Sequence, residues 1–87
     1  MSYATSVIKS IQYGTVTLNA VSSGTATITA VDTAKAVLIY LGTSYNVTTS
    51  LSGALTRITL TNSTTVTATR GAATDISIAS FVVVEFY

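Results

Sequence analysis

The chain of 87 residues is long enough for one small domain, and it contains no Cys, no His and no Pro. No disulfide can form, and the commonest general base and the commonest metal ligand are both missing. Lys9, Lys35, Arg57 and Arg70 oppose Asp32, Asp75 and Glu85, a net charge of +1 that is too sparse for a nucleic-acid interface and offers little protection against self-association.

Hydroxyls take the place of charges: 18 Thr and 11 Ser make up a third of the chain. Thr is β-branched and fits a pleated, half-buried surface, so the polar faces are expected to be hydroxyl-rich rather than ionic. The N-terminus lacks the charged start and apolar core of a secretory signal, and no apolar run approaches the ~20 residues that span a bilayer. A soluble chain made in a cytoplasm is expected. A chain this small, with neither disulfide nor metal, commonly gains stability by oligomerising.

Residues 1–5 read as a flexible lead-in, and Val7, Ile8 and Ile11 open the first strand. Val16, Leu18 and Ala20 alternate with Thr15, Thr17 and Asn19; after a turn at Ser22-Ser23-Gly24, Ala26, Ile28 and Ala30 alternate with Thr25, Thr27 and Thr29. The period of two predicts two half-buried strands, pairing as a hairpin. Asp32 to Lys35 suits a tight loop better than a single helical turn.

Ala36 to Leu41 is an unbroken apolar run, read as a strand covered on both faces and therefore central. Gly42 to Gly53 is weakly patterned and is expected to form an exposed recognition loop, with Thr43, Ser44, Tyr45 and Asn46 at its contact surface. A second hairpin is predicted from 54–62 and 64–70, turning at Asn62-Ser63. The chain ends on Phe81-Val82-Val83-Val84-Glu85-Phe86-Tyr87, apolar on both faces. Exposed at an edge, such a strand templates aggregation, so it must be central or covered by a partner. The partner reading places Phe81, Val83 and Tyr87 in an oligomer interface and Val84 in the domain's own core. Arg57 and Arg70 are candidate interface residues, through forks to carboxylates or carbonyls.

About seven or eight short strands at this spacing predict an all-β domain, a small antiparallel sandwich or a partly closed barrel. Three carboxylates, each with a structural role available, give no catalytic constellation and no calcium-site spacing, so neither an enzyme nor a metal or cofactor site is expected. The Thr-x-Thr runs admit an ice- or saccharide-binding array, but cross-strand Thr pairs that hold a sheet explain them more simply.

Lys9-Ser10-Ile11-Gln12, Thr25–Gly42, Arg57–Gly71 and the ending Val82–Tyr87 resemble small Thr-rich β-structured virion proteins of tailed bacteriophages. Tyr13 stands where such chains are expected to carry a basic residue. The resemblance implies a capsid decoration or cement protein, working as a homo-oligomer, commonly a trimer, on other virion proteins such as the major capsid protein, with no nucleic-acid or membrane partner. A tail or head fibre subunit that binds a host receptor is the alternative it allows.

Overall fold

In a computed structural model of the protein, residues 7–45 and 54–87 are described, and they form an all-β sandwich. Six strands are present among them: β1 (Ile8–Asn19), β2 (Ser23–Thr27), β3 (Ala36–Tyr45), β4 (Thr56–Asn62), β5 (Thr65–Arg70) and β6 (Ile76–Phe86). One sheet has the order β1-β6-β3 and the other β2-β5-β4, every pairing antiparallel. Principal extents of 58 × 23 × 14 Å make the molecule a slab two sheets thick. The expected lead-in at 1–5 lies outside the described residues.

Between the sheets lie Val16 and Leu18 of β1, Ala79, Phe81 and Val83 of β6, Val66 and Ala68 of β5, and Val31. Ile58, Leu60, Leu38 and Ala26 close the margins of this core. The alternation read along 15–19, 25–28 and 58–68 thus carries through, with apolar side chains inward and Thr outward.

The predicted hairpin between the first two strands does not form. The chain turns a corner at Ala20, whose φ is +55°, and β2 enters the opposite sheet. The Ala20 N–H donates to the carbonyl of Asp75 at 2.9 Å, and the Arg70 N–H to the carbonyl of Ser22 at 2.8 Å. The corner therefore hydrogen-bonds to the return crossing between β5 and β6. The second hairpin does form: β4 pairs β5 across a turn in which Asn62 Oδ1 accepts the Thr64 N–H.

The central strand is β6, not the apolar run at 36–41. β6 is apolar on both faces and long enough to pair with β1 along one edge and β3 along the other, which leaves β3 at the sheet margin. Residues 32–35 form the helical turn rather than the tight loop: Thr33–Lys35 is one 3-10 turn, and Asp32 caps it by accepting the Ala34 N–H.

Candidate functional site

β-Strands send successive side chains to opposite faces, so the register of β6 assigns every residue of its sheet to one side or the other. Ser77, Ala79, Phe81, Val83 and Glu85 point inward, and Phe81 and Val83 are 1% and 0% exposed. Both were expected at an oligomer interface; they are core residues instead. Val84, expected in the core, faces outward and is half-buried.

The outer face of this sheet is apolar over half its length. Across the strands, Ile11 of β1 lies opposite Val84 of β6 and Val37 of β3; the next rung is Tyr13, Val82 and Ile39. Ile8 opposite Phe86 extends the patch towards the chain end. Ile8, Ile11, Val37 and Ile39 are all exposed, and Tyr13 stands proud at 76% exposure. Val82, between Tyr13 and Ile39, is screened by them to 7%. None of these rungs carries a charged residue. Beyond them the face becomes mixed, with Thr15, Thr17, Ser80 and Ser44 around Ile78 and with Ile76 opposite Asn19.

The outer face of the other sheet has the opposite chemistry. Ser23, Thr69 and Arg57 form one row, and Thr25, Thr67 and Thr59 the next. Thr27 and Thr65 begin a third, which a bulge between Leu60 and Asn62 disturbs. Thr61 and Thr67 share a hydrogen bond between their hydroxyls. The slab thus has one face that is apolar over half its length and one face dominated by hydroxyls.

Arg70 is 7% exposed, and its contacts lie within the chain. Its Nε donates to the Val21 carbonyl at 2.9 Å, Nη2 to the Asp75 carbonyl at 2.8 Å and Nη1 to Ser77 Oγ at 3.2 Å. These groups belong to the two crossings between sheets, so the guanidinium expected to fork onto an interface instead staples the corner of its own chain. Arg57 is exposed on β4, and Tyr87 is exposed at the chain end, its N–H donating to the Val7 carbonyl.

Thr43, Ser44 and Tyr45 do not form a loop. β3 absorbs a bulge at Leu41, where Gly42 takes a φ of +136°, and then pairs on through Thr43, Ser44 and Tyr45 with Ala79, Ile78 and Ser77. Gly suits this conformation because it lacks a Cβ. Tyr45 faces inward over Ser77, and its buried hydroxyl has no hydrogen-bond partner among the described residues. Asn46 and the remainder of the expected recognition loop lie outside the described residues.

Glu85 is 5% exposed. Its carboxylate accepts the Asp32 N–H at 2.8 Å and the Ser10 hydroxyl at 3.2 Å, with Lys9 Nζ at 4.0 Å. Beside it, Gln12 acts like a peptide group, donating to the Thr29 carbonyl and accepting the Thr29 N–H. An open cleft of about 340 Å³ is lined by these side chains, whose amide and carboxylate are already engaged. Among the described residues, no three of His, Cys, Asp and Glu gather where they could hold a metal ion. Compared with protein-family profiles, curated proteins and solved structures, the chain matches none.

The apolar half of the β1-β6-β3 face is therefore the candidate site, and Ile11, Tyr13, Val37, Ile39 and Val84 are residues that sequence reasoning missed. The signal was present in the double-faced apolar runs at 36–41 and 81–87. The parity that says which face is bare was not.

Proposed function

We propose that this chain is a structural protein of a tailed-phage virion, an oligomeric decoration or cement protein of the head. The observation that supports this reading is the uncharged apolar sheet face on a rigid two-sheet slab whose other face is hydroxylated. Such a module can be embedded on one side and wetted on the other, and repeated copies add shallow contacts by multivalency. The resemblance of its segments to small virion β proteins supplies the setting. Electron microscopy of purified particles of the encoding phage, with gold-labelled antibody to the chain, tests the proposal. Dense label over the head is expected. Label confined to the tail would replace it with the fibre reading, and no label on any particle would reject both.

The hydroxyl rows on the β2-β5-β4 face favour one further reading, a binder of ice or saccharide surfaces. Pure protein that produces thermal hysteresis or is retained on a glycan array would support it.

A further inference from the structure

The geometry points to another copy of this chain as what covers the apolar face of the β1-β6-β3 sheet. The inference deepens the reading of that face as an assembly surface by naming its occupant, and its test can fail while the virion reading stands.

Chemistry favours a copy over an unlike partner. Ile8, Ile11, Tyr13, Val37, Ile39, Val82, Val84 and Phe86 form rungs without a charged group, whereas unlike partners are usually selected and steered by complementary charge. A wholly apolar, uncharged interface resembles a domain core divided between subunits. The chain's net charge of +1 does little to oppose self-contact.

Shape points the same way. The face is high along β1, where Tyr13 projects, and lower along β3, where Val37 and Ile39 are about half exposed. A copy turned about an axis along β6 sets its own Tyr13 over the first copy's Ile39, and the reverse contact follows by symmetry. High then meets low on both sides, and Val82 and Val84 lie near the middle.

Area is sufficient. The exposed side chains on these rungs present on the order of 500 Å² of apolar surface, the upper range for the largest patch of a soluble monomer. Two such faces bury about 1,000 Å² between them, the lower bound of a specific interface.

The test is sedimentation equilibrium on the purified 87-residue chain, wild type and with Tyr13→Lys or Ile39→Lys, the fold of each checked by far-UV circular dichroism. The expected result is a wild-type mass of twice 9.0 kDa that falls to a single chain in both variants and is unchanged in Thr33→Lys, on the helical turn. A single-chain mass for the wild type at millimolar concentration would overturn the inference, as would an oligomer indifferent to both lysines. If a lysine variant does not fold, Tyr13→Ser and Ile39→Ser, which remove apolar surface without adding a charge, decide by the same measurement: loss of the oligomer supports the contact, and an unchanged oligomer mass overturns it. Oligomers with no label on any virion would leave this inference intact and reject the virion proposal instead.

Discussion

The ring of Phe81 lies directly over Gly14 on the neighbouring strand: a Cβ added to Gly14 would meet Phe81 Cζ at 2.6 Å. The two residues are opposite each other in the ladder, and the space where a side chain of β1 would stand is filled by the aromatic ring of β6. A glycine in a strand usually weakens it; this one makes room for the largest fully buried side chain of the core.

Gly14→Ala is therefore expected to destabilise the fold by about 1–3 kcal/mol through overpacking, although Ala ordinarily suits a strand better than Gly. Urea unfolding measures it. In a Phe81→Leu background the same substitution should cost less, because the colliding ring is gone, and equal cost in both backgrounds would contradict the contact.

Val83 and Val84 differ by one residue and by one face. Val83→Lys places a charge among Phe81, Leu18 and Val66 and is expected to prevent folding. Val84→Lys points outward and should leave the strand signal in circular dichroism intact. The opposite pattern would mean that the register of β6 is shifted by one.

Arg70 holds the crossing corner by a fork of donors that Lys cannot reproduce. Arg70→Lys leaves carbonyls of Val21 and Asp75 short of a donor, at a cost of about 2–3 kcal/mol in chemical denaturation. Arg57→Lys, exposed on β4, should stay within about 0.5 kcal/mol of wild type.

Glu85 joins β6 to the capped turn and to β1. Glu85→Gln keeps the size but substitutes an amide donor for one acceptor. Oε1 of the amide still accepts the Asp32 N–H while Nε2 donates to the Ser10 hydroxyl, so what is lost is the charge that strengthens these bonds and attracts Lys9, and about 1 kcal/mol should be lost at neutral pH. Amide hydrogen exchange at Asp32 provides a local readout and should rise in the variant.

Thr67→Val on the hydroxyl face tests whether the Thr rows hold the sheet. Shape and β propensity are retained while the hydrogen bond to Thr61 is lost, so stability should change by no more than about 0.5 kcal/mol. A loss well above 1 kcal/mol would make the hydroxyl ladder a structural element.

The sequence by itself determined the strand class, the inward positions of Val16, Leu18, Ile58, Leu60, Val66 and Ala68, and the hairpin at Asn62-Ser63, because local alternation and turn chemistry are sufficient for these. It left the first pairing wrong, since nothing local distinguishes a hairpin turn at Ser22-Ser23-Gly24 from a corner at Ala20 held by the distant Asp75 and Arg70. The face of β6 was likewise open. A run such as Phe81-Val82-Val83-Val84 is apolar at odd and even positions alike, so its parity is set by what packs on it. Phe81 turned inward because Gly14 leaves room on the opposite strand, and Val84 and Tyr13 were thereby directed outward. The apolar face is thus a tertiary decision: strand period places residues on two sides, and only long-range register says which side meets the core.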